Sequence, residues 1–62
     1  MSKFKALCNH LNIENDLVER VHDQVFLVCD RRFLVVSSEE NPIETDLDEP
    51  TIEGEYLIYE VV

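Results

Sequence analysis

The chain has 62 residues, 45% of them hydrophobic, with five lysines and arginines against fourteen aspartates and glutamates, a formal net charge of −9. That length sets a single domain over 1–62, and the apolar content excludes a chain disordered throughout. The charge disfavours direct binding to nucleic acid or to an anionic membrane, and the longest apolar run, 25–29, is far short of the roughly 20 residues a spanning helix needs.

Residues 1–13 predict a helix. Phe4, Leu7, Cys8 and Leu11 fall at i, i+3, i+4 and i+7 and make one apolar stripe. Ser2 can cap its start, Asn12 can take the left-handed conformation at its end, and Ile13 follows as the apolar contact past the cap. Residues 14–23 fit either a short helix, with Asp16 and Glu19 as a capping pair, or a strand at 17–21. The strand is favoured because strand signals follow at once: 24–29 and 33–37 are rich in valine and phenylalanine. Asp30-Arg31-Arg32 between them has hairpin length but no glycine, so a type I turn opened by Asp30 is expected.

Residues 38–55 contain both prolines, the only glycine and eight acidic side chains. They predict a loop or arm, punctuated at Asn41-Pro42 and Glu49-Pro50. Residues 56–62 read as a last strand. The fold class is therefore α+β: a short N-terminal helix packed on a small antiparallel sheet of three to four strands, a strand meander over 17–37, and an acidic loop before the last strand. Several strands are apolar on both faces. Val25, Leu27 and Cys29 oppose Phe26 and Val28, and Leu57, Tyr59 and Val61 oppose Tyr56, Ile58 and Val62. One small helix covers only one face of such a sheet. The second face is expected to pack on a second copy or a partner through Leu57, Ile58 and Tyr59; the alternative is that the 38–55 arm folds back over it.

A domain this short buries only about 60% of its unfolded surface, so a disulfide, a metal or an oligomer usually supports it. Two cysteines make at most one bridge, and no secretory signal is visible, since Asn9, His10 and Asn12 interrupt the stretch after Lys3 and Lys5. A reducing, cytoplasmic setting with free thiols is expected, which leaves a homodimer as the available support.

No catalytic, metal or cofactor site is predicted. Cys8, His10, His22 and Cys29 have the composition of a Cys₂His₂ zinc site, but their order matches no finger-like pattern. On a helix Cys8 and His10 project about 200° apart. Asp46 and Asp48 have the first spacing of a calcium-binding EF-hand loop, but Pro50 takes the third ligand position and Thr51 stands where glycine is required. Glu39-Glu40 reads as a solvated charge cluster and Arg31-Arg32 as a polar turn. So short a chain is expected to be too small to enclose a typical pocket of about 300 Å³ or more, and so not to be an enzyme.

The charge itself is lopsided. Five basic and five acidic side chains cancel over residues 1–32, and residues 33–62 hold nine acids and no lysine or arginine. Such a run supports solubility and guards strand edges against aggregation. It can also present a row of anions: Glu44, Asp46 and Asp48 alternate, as do Glu53 and Glu55, and in extended chain such neighbours lie about 6.6 Å apart on one side. The segment 39–60, SEENPIETDLDEPTIEGEYLIYE, together with the small size, resembles the acidic anti-restriction and anti-CRISPR proteins that phages and plasmids use against host nucleic-acid enzymes. The likeness is compositional and carries over no site residues. It implies an inhibitor, a nucleic-acid mimic acting in the cytoplasm of a bacterial host on a basic protein surface. Glu44, Asp46, Asp48, Glu49, Glu53, Glu55 and Tyr56 are its candidate contacts, with Tyr59 or Phe33 as further aromatic anchors. The competing expectation is a small structural or regulatory subunit working through its apolar strands.

Overall fold

The computed structural model describes residues 2–61; position 1 and position 62, the ends of the expected helical segment and last strand, lie outside them. The first element, α1 (Lys3–Leu11), is capped at both ends. Ser2 Oγ accepts from the Lys5 amide at 3.1 Å, satisfying one of the donors a helix start leaves orphaned. At the other end Asn12 is left-handed, with φ 56 and ψ 49. Its amide donates to the Asn9 carbonyl at 3.3 Å and the Ile13 amide to the Cys8 carbonyl at 3.1 Å, the paired bonds of a Schellman motif. Ile13 and Cys8 share one apolar cluster, the contact that commonly accompanies such an end.

The strand expected at 17–21 is present as β1 (Val18–Arg20), entered through a 3-10 turn at Asn15–Leu17. It is followed by β2 (Val25–Val28), β3 (Arg31–Ser37), β4 (Thr51–Glu53) and β5 (Tyr56–Val61). All neighbours pair antiparallel in the order β1-β2-β3-β5-β4. The α+β class is as expected, with five strands where three to four were predicted. The additional strand is β4, three residues inside the acid-rich segment. It pairs with β5 in the register Thr51↔Ile58, Ile52↔Leu57 and Glu53↔Tyr56, across a turn at which Gly54 has φ 61. Three residues after a proline carry too little alternation to be read as a strand; only the cross-strand partner reveals it.

The β2–β3 hairpin is also tighter than expected. Val28 pairs with Arg31, so the turn is Cys29-Asp30 and both arginines belong to β3. Cys29 takes the positive φ, 57, that two-residue hairpin turns require and that glycine or asparagine usually provides. The twist of the strands fixed the turn geometry, and a residue ill-suited to it complied.

Two apolar layers flank the sheet. On one side α1 contributes Leu7 and Cys8 to a core with Val18, Phe26, Val28, Phe33, Val35 and Ile58. On the other, Val25, Leu34 and Val36 are buried, with Leu47, Leu57, Tyr59 and Val61 packed around them. Leu34 and Val36 are 0% exposed. Leu47 of the segment 38–50 packs against this second face, so cover for it comes from within the chain. That is the alternative in which the arm folds back over the face. Leu57, Ile58 and Tyr59 are separated: alternation along β5 puts Ile58 in the helix-side core, 3% exposed, and the other two against the second-face cluster.

A candidate docking groove under the acidic arm

The arm is fixed by a polar clamp at its start. Gln24, just before β2, is buried at 5% exposure. Its Nε2 donates to Glu40 Oε2 at 2.7 Å and to the Asn41 carbonyl at 3.0 Å, and its Oε1 accepts from the Ile43 amide at 2.8 Å. Glu40 also accepts from Lys3 Nζ at 2.8 and 2.9 Å, one to each oxygen, and from the Ser37 amide at 3.1 Å. Those donors, Lys3 first, hold the Glu40 carboxyl at about 2, well below its ordinary 4.5. Burial alone lowers the Lys3 pKa, but the hydrogen bonds and charges of Glu40 and Asp23 outweigh it and raise it. The pair expected as a solvated cluster is therefore split: Glu39 is exposed, while Glu40 ties the start of α1 to the sheet and to the arm.

Three further anchors continue the path. Arg32 on β3 reaches Glu44 at 3.5 Å. Leu47 packs against the second-face cluster. Pairing of β4 with β5 then fixes the far end. Between these points the backbone is irregular, with bends at 43, 45 and 46, because Pro42 and Pro50 cannot donate to a strand ladder.

Held this way, the arm leaves an open cleft of about 540 Å³ against β5. Pro42, Leu47, Pro50 and Tyr59 supply its apolar wall; Asn41, Thr45, Glu44 and Asp48 are its polar groups. The volume exceeds what so short a chain was expected to enclose. The cleft reaches it by standing open to solvent. The sequence carried no signal for this site, since Tyr59 meets the arm only after residues far apart in the chain are folded together.

The expected partner-binding residues are dispersed. Asp46, Asp48 and Glu49 are exposed on the arm, but Glu44 is partly covered and bonded to Arg32. The bends at 45 and 46 break the two-residue alternation, so Glu44, Asp46 and Asp48 do not make a strand-like row. Glu53 lies in β4 and Glu55 in the following turn, so these two do not share a strand face either. Tyr56 is half-buried beside the helix-side core, and Phe33 is 2% exposed within it, which removes Phe33 as a surface anchor. Tyr59 alone of the aromatic candidates lines the cleft.

Among the described residues no three cysteine, histidine, aspartate or glutamate side chains form a group that could hold a metal ion. Cys8 is buried in α1, and burial pushes its thiol pKa up. Cys29 is exposed at the hairpin turn. His22 accepts from the Gln24 amide through Nδ1 at 3.2 Å.

Four of the five basic side chains make internal ion pairs: Lys3 with Asp23 and Glu40, Arg20 with Asp23, Arg31 with Glu60, and Arg32 with Glu44. Among the described residues, the other ten of the fourteen carboxylates have no basic partner at ion-pair distance, and Lys5 is the basic residue left over. Among the described residues no helix is long and apolar enough to cross a membrane. Compared with protein-family models, with curated proteins and with solved structures, the chain matches none.

Proposed function

We propose that the chain is a non-enzymatic interaction protein that docks its acidic arm on a basic protein surface of the kind that binds nucleic acid, and blocks it by occupation. The observation that carries this reading is the internal use of the cations: with four of five basic side chains spent on the fold, the surplus carboxylates, all but Glu53 exposed, have no basic partner among the described residues. Asp46, Asp48, Glu49 and Glu55 are exposed along the arm and the turn after it. A surface of one sign steers a partner of the other and speeds its association. The compositional likeness to anti-defence inhibitors agrees with this reading, and the irregular arm makes it a charged docking face rather than a copy of the phosphate spacing.

The test is affinity capture from a nuclease-treated bacterial lysate at 50 mM salt. The native chain is compared with one reversed to lysine at Asp46, Asp48, Glu49 and Glu55; Glu40 and Glu44 stay untouched because they hold the arm. A nucleic-acid-binding protein retained by the native bait alone, and displaced by an oligonucleotide, is the expected result. Raising salt to 200 mM weakens that capture, since exposed charges are screened over about 10 Å at 0.1 M. Equal retention by both baits, or recovery of the chain itself only, would overturn the reading in favour of an apolar interface.

A further inference from the structure

We infer that the cleft between the arm and β5 is the anchoring subsite for one arginine side chain of that basic partner. The inference rests on the docking proposed above and adds where its central contact lies and which side chain makes it. The chain itself shows the recognition chemistry twice. The Arg31 guanidinium sits 5.0 Å from the Phe33 ring centroid and is held side-on by Glu60, with Nε to Oε2 at 2.8 Å and a terminal nitrogen to Oε1 at 2.9 Å. Arg20 repeats the arrangement, 5.7 Å from the Phe26 centroid and bonded to Asp23. In each, a flat cation lies over a ring while a carboxylate takes its edge.

The cleft presents the same two parts without the cation. Tyr59 is the ring, Asp48 is a carboxylate with no basic partner among the described residues, and no lysine or arginine of the chain lines the site. Glu44 adds a second carboxylate, which is also paired with Arg32. Pro42, Leu47 and Pro50 form an apolar wall suited to the aliphatic stem of a long side chain. A volume of about 540 Å³ falls in the usual range for a ligand site. Arginine is selected over lysine because a planar guanidinium stacks on a ring and bonds carboxylate edge-on, whereas an ammonium is a more strongly hydrated point charge. The anchor therefore combines an aromatic contact with neutralisation of the Asp48 carboxylate, and arginine and aromatic side chains are the ones that dominate interface hot spots.

The test titrates the ¹⁵N-labelled full chain at 50 mM salt with two capped nonapeptides, one carrying three arginines and one carrying lysines at the same places. Expected is saturable movement of the amides of Asn41, 43–48 and Tyr59, with the arginine peptide binding several-fold tighter. Tyr59→Leu and Asp48→Asn should each weaken it about three- to tenfold, while Tyr59→Phe, which keeps the ring, binds like the native chain. A dispersed amide spectrum confirms that each variant is folded. Equal binding of both peptides, with shifts spread over Glu49, Glu53 and Glu55 and no loss on Tyr59→Leu, would overturn the subsite and leave the acidic docking face standing. No binding of either peptide would overturn the docking reading as well. Shifts at 41–48 that change on dilution with no peptide present would assign the cleft to a second copy of the chain and overturn the proposal.

Discussion

Replacing Glu40 by glutamine keeps the shape of the side chain and removes its charge. Lys3 then loses the carboxylate it meets at 2.8 Å. The new amide nitrogen also faces Lys3 together with either the Ser37 amide or the Gln24 Nε2, donor against donor. The native carboxyl is held at about 2 against an ordinary 4.5, which at 1.36 kcal/mol per unit corresponds to about 3 kcal/mol. The Glu40 side chain is 26% exposed, so solvent screening reduces the stabilisation to about 1.5–2 kcal/mol. The sign follows from linkage: a carboxyl whose folded pKa is depressed stabilises the fold fully above about 4.5 and loses that contribution as pH falls towards 2. Glu40→Gln should therefore cost about 1.5–2 kcal/mol at pH 7, roughly 10 °C in Tm for so small a domain. The gap between variant and native chain should shrink to about a quarter of its size at pH 2.5. Urea unfolding followed by circular dichroism at both pH values measures it. Relief of repulsion in a chain of net charge −9 pushes the other way. A variant as stable as the native chain at pH 7, or a loss of equal size at both pH values, would refute the clamp.

The same clamp predicts that Gln24→Ala, which strips the acceptor from the Ile43 amide, costs about 1–3 kcal/mol and speeds exchange at Ile43, read by amide hydrogen exchange. Cys29→Gly should stabilise by about 0.5–1 kcal/mol, because the turn holds φ at 57 and glycine carries no Cβ penalty there; thermal unfolding reads it. Gly54→Ala should cost about 1 kcal/mol through backbone strain alone, since φ is 61 and an added Cβ meets nothing within 4 Å. Leu34→Ala, at a site of 0% exposure beneath the arm, should cost about 2–5 kcal/mol, a large share of a small domain's stability; a cost under 1 kcal/mol would mean that the arm does not seal that face.

Elements whose causes are local were legible in the chain. The helical stripe, the Ser2 cap and the left-handed Asn12 are all set within a few residues, and α1 forms as that pattern dictates. The valine- and phenylalanine-rich runs likewise mark β2 and β3, and the surplus of acid sets the sign of the charge, −9. Pairing across distance was decided by the tertiary structure alone. Thr51–Glu53 becomes a strand because β5 offers it a ladder, and Cys29 adopts a positive φ because the strands on either side leave only two residues to turn in. Glu40 reads as one acid among many until Lys3 and Gln24 converge on it from positions 37 and 16 residues away. The apolar character of both sheet faces was legible, but not what covers the second one. An arm of prolines and acids carries no period of its own, and its path follows from anchors that exist only in the folded chain: Gln24, Arg32, the Leu47 contact and the β5 edge. The cleft at Tyr59 is the space those anchors leave, which is why no local pattern announced it.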